Sequence, residues 1–263
     1  MFVVAQYRSH SPSQREQQSR GEEKEEEDQR CCCHEGEVGV RLGLAGVPET
    51  AETVAIATSL LLVEQTGAQV HYSQISSARS VELIRQAQQQ GLPVTAGVAI
   101  HQLLFTESSI EGFNSTFHLQ PPLRTEHDRR ALIEGVIDGT ISAICSDHQP
   151  QNVAAKMAPF AATEPGISGL QTFLPLTMKL FHGKMPLPEV VERLTLGPAA
   201  IIDQPGTGLE LGSSADLTIF DPKTSEVLGV DGWLSRGMNN PFLGQTLNGK
   251  VVATFLEGKQ VFG

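Results

Sequence analysis

Ile144-Cys-Ser-Asp-His-Gln-Pro150 is the stretch from which the architecture can be read. Thr140 to Cys145 forms an apolar run of strand length. It delivers Asp147 and His148 at its C-terminal end, just before Pro150, which has no N–H for a ladder and ends pairing. In an α/β barrel the reactive groups sit at the C-terminal ends of the strands. Asp147 therefore stands where a general acid/base belongs. A second reading of the same residue is a carboxylate that caps the turn after the strand.

Strands and helices alternate on both sides of this point. Upstream, a helix over 125–138 has Thr125 as its cap and Gly139 as its stop. A strand over 94–98 precedes it, and before that a helix over 79–90, capped by Ser76 or Ser77 and ended by Gly91. Gln69 to Ile75 reads as another strand. Pro48-Glu-Thr-Ala-Glu-Thr opens a helix that runs through Glu64 and closes at Gly67. Downstream, helices are expected over 169–182 and 187–202. This alternation predicts a parallel α/β layer. After Gly206 the pattern changes: 215–221 and 251–261 are β-rich with no helix between them, which marks a smaller β module over 206–263. The barrel-type part then covers 34–205.

The first 33 residues have a different character. Ser9 to Arg30 is rich in Gln, Glu, Ser and Arg and contains the run Glu22-Glu-Lys-Glu-Glu-Glu-Asp28. Such a segment buries too little apolar surface to offset its ordering entropy, so disorder is expected over 1–33. Cys31-Cys32-Cys33 do not have the spacing of a structural zinc site and read as thiols in a loop. The fourth cysteine, Cys145, lies on the predicted strand.

The totals fit the length of one typical (β/α)8 barrel or of two small domains. The chain has 263 residues, 40% of them hydrophobic, and a net charge of −11. That charge disfavours nonspecific binding to nucleic acid or an anionic membrane, which would need a basic face. No apolar run reaches membrane-spanning length, and Met1-Phe-Val-Val-Ala5 lacks the basic and apolar regions of a secretory signal. The expected compartment is the cytoplasm.

Seven stretches, in order, resemble dihydroorotases of the amidohydrolase superfamily. They are Leu42 to Glu52, His71-Tyr-Ser-Gln-Ile-Ser76, Gly91 to Thr95, Gln120-Pro-Pro-Leu-Arg124, Ser146 to Pro150, Ala158-Pro-Phe160 and Gly212 to Leu217. The resemblance covers roughly 34–263. It implies a metal-dependent (β/α)8 TIM barrel with a composite β module. This chain corresponds to the C-terminal half of the barrel plus the C-terminal part of that module.

The departures from the family pattern bear on chemistry. Active members carry a His-x-His pair and a bridging acidic or carboxylated residue, and neither has a counterpart here. Two further histidine ligands align with Gln6 and Gln74. An amide oxygen is a poor substitute for imidazole on zinc. Gln120 and Gln151 stand at degenerate substrate-binding positions, where the family has Asn and His. Asp147 remains at the family's catalytic Asp.

This set of substitutions resembles one subgroup, the dihydroorotase-like non-catalytic subunits of bacterial aspartate carbamoyltransferase. Membership would imply a pyrimidine-biosynthesis protein without a cofactor, with a vestigial Asp147. Its partners would be aspartate carbamoyltransferase catalytic chains in an oligomer. The alternative is an active dihydroorotase in which two zinc ions activate a hydroxide and Asp147 carries its proton to the departing amide nitrogen.

Other polar residues have milder readings. His71 is expected to hydrogen-bond within the core, and His148 to pack or sit at the rim. His101 and His118 are candidates for a substrate carboxylate or plain loop histidines. Arg124 is expected to pair with a helix carboxylate, with anion binding as the alternative. His34-Glu-Gly36 reads as structural.

Overall fold

Parallel strands dominate the first part of the structure, a computed structural model that describes residues 3–5, 31–204, 209 and 211–263. In chain order the regular elements begin with β1 (Val3–Ala5), β2 (Cys33–His34), α1 (Glu37–Leu42), β3 (Gly46–Val47), α2 (Thr50–Thr66) and β4 (Val70–Tyr72). They continue with α3 (Ala78–Gln89), β5 (Val94–Ala99), α4 (Ile100–Leu104), α5 (Glu126–Asp138) and β6 (Ala143–Cys145). The last are α6 (Leu170–Phe181), α7 (Leu187–Leu194), α8 (Leu196–Ile201), β7 (Leu217–Val227), β8 (Thr246–Leu256) and β9 (Lys259–Phe262). The main sheet has the order β1-β4-β5-β6, with every pair parallel. Parallel neighbours need crossover connections, and the intervening helices supply them.

Local chemistry accounts for the helix ends. The Ser77 hydroxyl accepts the Ser80 amide at the start of α3. Thr125 and Asp128 form a reciprocal capping box on α5, and Gly139 closes that helix in the left-handed region at φ 88°. Such caps contribute about 1 kcal/mol each.

Alternation along the strands sorts the side chains. Ala96, Val98 and Ile144 face the helices and join Ile84, Val81, Leu132, Val136 and Ile141 in one core. Ile84, Val98 and Val136 are fully buried, and each such side chain contributes about 1.5–3 kcal/mol. Residues on the opposite face, Thr95, Gly97, Ala143 and Cys145, line the concave side expected of a barrel interior.

Three details depart from the sequence reading. The single helix expected over 187–202 is broken at Thr195 (φ −130°, ψ −81°). Pro198 lacks the N–H that a continuous helix would need there. Gly197 also passes so close to the Ser142 carbonyl that any Cβ would collide with it. The β strands are longer than read: β7 runs to Val227 and β8 starts at Thr246. Finally, the loop reading of the cysteine triplet holds only in part: exposed Cys31 and buried Cys32 precede the strand. Cys33 belongs to β2, and Cys32 and Cys33 are both buried in a satellite cluster with Val38, Ile110 and Phe160.

Strands β7, β8 and β9 form a separate antiparallel sheet. It packs on α6, where Gly249 at φ 105° comes into van der Waals reach of Pro175. Leu228 and Leu247 from this region enter the main core.

Candidate functional site

Three neighbouring parallel strands end in step, and each places one polar residue two positions beyond its last residue. Gln74 follows β4, His101 follows β5 and Asp147 follows β6. Because the strands are in parallel register, these three side chains converge at the C-terminal edge of the sheet. The Gln74 amide nitrogen donates to Asp147 Oδ1 at 2.7 Å. Gln149 Nε2 donates to the same oxygen at 2.8 Å. The other carboxylate oxygen, Oδ2, lies 3.5 Å from His101 Nε2.

Backbone strain marks the same place. Gln74 and Asp147 both have positive φ, 57° and 41°. Non-glycine residues in that region are uncommon and cluster at functional sites. Asp147 also hydrogen-bonds a side chain two residues ahead rather than capping a backbone amide.

His101 is 2% exposed, and neither ring nitrogen has a hydrogen-bond partner among the described residues. Burial lowers its pKa to about 4, while the Asp147 charge pulls the other way. A neutral imidazole therefore sits beside the carboxylate at physiological pH. A buried polar atom without a partner costs about 1–3 kcal/mol. Burial and then the Asp147 charge push the Cys145 thiol up to about 11, so it is no ready nucleophile.

The remaining candidates are tied into the structure elsewhere. His71 Nδ1 lies 2.9 Å from Thr95 Oγ1 on the next strand. His148 Nδ1 accepts the Leu170 amide at the start of α6. His118 is buried, with Nδ1 2.8 Å from Thr163 Oγ1, and burial lowers its pKa to about 4. Gln151 donates through its backbone to Asn239 Oδ1 and through its amide to the Pro165 carbonyl. Gln120 is exposed and precedes a cis bond to Pro121. Gln6 lies outside the described residues.

Arg124 differs from its expected pairing. Among the described residues it makes no ion pair; it donates to Ser76 Oγ, His34 Nδ1 and the Val47 carbonyl, each at 3.0 Å. The carboxylate that matters there is Glu52 on α2, which sequence reading missed. Glu52 accepts the backbone amides of Ser76 and Ser77 and the hydroxyls of Ser76, Ser77 and Ser80. The Pro-Glu-Thr-Ala-Glu spacing and the Ser76-Ser77 pair were the available signals, one for each end of that contact.

A zinc ion does not fit the donors around Asp147. No group of three or more His, Cys, Asp or Glu side chains able to hold a metal occurs among the described residues. Asp147 Oδ1 is already engaged by two N–H donors. Gln74 turns its protons, not a lone pair, toward the carboxylate.

A four-stranded parallel sheet with interleaved helices and an acid beyond its last strand is part of an α/β barrel of the amidohydrolase type. Residues 33–261 match the amidohydrolase family, and the chain belongs to it. It is similar to a "Dihydroorotase-like protein" of Pseudomonas aeruginosa, 52% identical over 226 residues, covering 86% of this chain and 53% of that one. A "Dihydroorotase" of Syntrophus aciditrophicus is 39% identical over 230 residues, covering 87% and 54%. Among solved structures, a D-hydantoinase from Thermus sp. superimposes with TM-score 0.75 at 21% identity, covering 82% of this chain and 49% of that one. An L-hydantoinase from Arthrobacter aurescens gives 0.73 at 28% identity, covering 80% and 48%. The chain thus spans about half the length of the curated relatives it matches.

Proposed function

We propose that this chain is a dihydroorotase-like protein of pyrimidine biosynthesis that no longer hydrolyses dihydroorotate. In this reading it acts in the cytoplasm as an assembly subunit for aspartate carbamoyltransferase catalytic chains, in an oligomer and without a bound cofactor. One observation carries the loss of chemistry: the Gln74 amide stands at the family's ligand position and donates to the acid it faces. A carboxylate can shuttle a proton only if something lowers the pKa of the attacking water, and the donors near Asp147 do not suit a metal that would do so. The assembly role rests on the motifs shared with the carbamoyltransferase-associated subgroup: Pro48 to Thr53, Ser73-Gln74, Gln120 to Arg124 and Thr163 to Ser168. The preserved core and the fully satisfied Glu52 network suit a structural part.

The organisation proposed with this function keeps 34–205 and 206–263; of the segment 1–33, expected to be disordered, Val3–Ala5 and Cys33 are strand residues and 6–30 lie outside the described residues. The competing reading, an active zinc amidohydrolase, is favoured by Asp147 itself, which keeps a strained backbone and a neutral imidazole 3.5 Å away.

Co-elution decides between assembly and independence. Mixed with aspartate carbamoyltransferase catalytic chains, the protein should shift to a larger species on size exclusion. Asp147→Ala should shift equally well. Failure of the unmodified protein to co-elute contradicts the assembly role, and loss of the complex in Asp147→Ala contradicts a vestigial acid.

A further inference from the structure

The three consecutive cysteines take no part in the function proposed above, and two of them are held together. The Cys32 amide donates to the Ala45 carbonyl at 3.0 Å, fixing the start of the β2–β3 pair. The Cys32 and Cys33 thiols lie 3.9 and 3.6 Å from that same carbonyl oxygen. Both side chains are buried, at 3% and 2% exposure, while Cys31 is exposed beside them. Gly39 stands where any Cβ would press on Cys33 Sγ, so the second sulfur is closely packed on that side.

We propose that Cys32 and Cys33 form a vicinal dithiol site for a soft, thiophilic trivalent centre of the arsenical class. Two sulfurs gathered around one carbonyl can both bond such a centre, and thiolates are the ligands that soft centres select. Each As–S bond replaces an S–H, and the two protons leave with the oxygen of the incoming As=O group as water. A direct disulfide suits the site less well. Consecutive Cα atoms are about 3.8 Å apart, whereas disulfide-bridged Cα atoms usually lie about 4.4–6.8 Å apart. A larger bridging atom relaxes that constraint.

The two thiols influence each other. Proximity to the Cys33 thiol lowers the Cys32 pKa, with burial opposing. The same contact, with burial and the Glu107 and Cys31 charges, raises Cys33. Access needs only local opening, because β2 and β3 are two residues each. Such short pairs open far below the cost of global unfolding.

The test is titration of the folded, reduced protein with phenylarsine oxide, read by intact mass, a thiol count and melting temperature. One equivalent should bind and consume two of the four cysteines. Cys32→Ser and Cys33→Ser should each weaken binding at least tenfold, while Cys31→Ser and Cys145→Ser leave it within twofold. The unmodified protein should melt higher with the reagent, since a ligand of the folded state stabilises it. A lower melting temperature would show capture of the unfolded chain and overturn the proposal, even if a serine variant fails to fold. Binding that survives Cys33→Ser, or that needs Cys31, would overturn it as well.

Discussion

Two polar clusters lie two residues apart in sequence, just beyond strand β4, and they are built on opposite terms. At Ser76 the Glu52 carboxylate accepts from backbone and hydroxyl groups at once, and Arg124 ties Ser76 to His34 and Val47. At Gln74 the chain is in a strained conformation, and the acid it faces lies against an imidazole with both nitrogens unpartnered. The first cluster holds α2, α3 and β3 together. The second spends stability without an evident structural return, which is the usual signature of a reaction centre. In the proposed reading Gln74 is what separates the two inferences: the strained backbone remains at a position where an amide stands in place of the family's ligand. The contrast teaches that a satisfied network and a strained, unpartnered one can sit side by side on one strand end.

The largest expected effect tests the satisfied cluster. Glu52→Ala would leave three buried serines and two helix-start amides without their acceptor, at a cost of roughly 3 kcal/mol or more. Urea denaturation measures it, and a loss below about 1 kcal/mol would break the contrast. A pH series tests the strained side next. Burial lowers both His101 and His118 to about 4, against about 6.5 for a free imidazole. Between those values the unfolded chain binds protons that the folded chain refuses. Stability is therefore complete above about pH 6.5 and falls as pH drops toward 4, by at most about 1.4 kcal/mol per pH unit for each imidazole. His101→Met should flatten that slope by up to about 1.4 kcal/mol per pH unit; an unchanged slope would mean that His101 is not held neutral.

The smallest effect sharpens the comparison. In Asp147→Asn the amide oxygen still accepts from Gln74 and Gln149, and the new NH2 faces His101 Nε2. Its stability should stay within about 1 kcal/mol of the unmodified protein and could rise. A loss above about 2 kcal/mol would make Asp147 a structural keystone instead.

Much of this was legible before any coordinates. The caps at Ser77 and Thr125 and the stops at Gly67 and Gly139 follow from local backbone chemistry, which a sequence displays directly. The Asp147 strand could be read from an apolar run ending at a proline. Long-range pairings could not. Nothing near Pro48 says that Glu52 will satisfy residues at 76–80, and nothing near His101 says that it will be sealed against Asp147. The break at Thr195 also depends on a remote neighbour, the Ser142 carbonyl under Gly197. The burial of Cys32 and Cys33 escaped the sequence reading for a similar reason: besides nearby Val38 it comes from Ile110 and Phe160, which lie far along the chain.

The central claim is that the amide at position 74 closes the acid to a metal, and zinc content tests it most directly. Protein equilibrated with zinc, desalted and analysed for metal should hold it only well below one ion per chain, and Asp147→Asn should not change that amount. Stoichiometric zinc that disappears in Asp147→Asn, together with ring opening of dihydroorotate, would contradict the account.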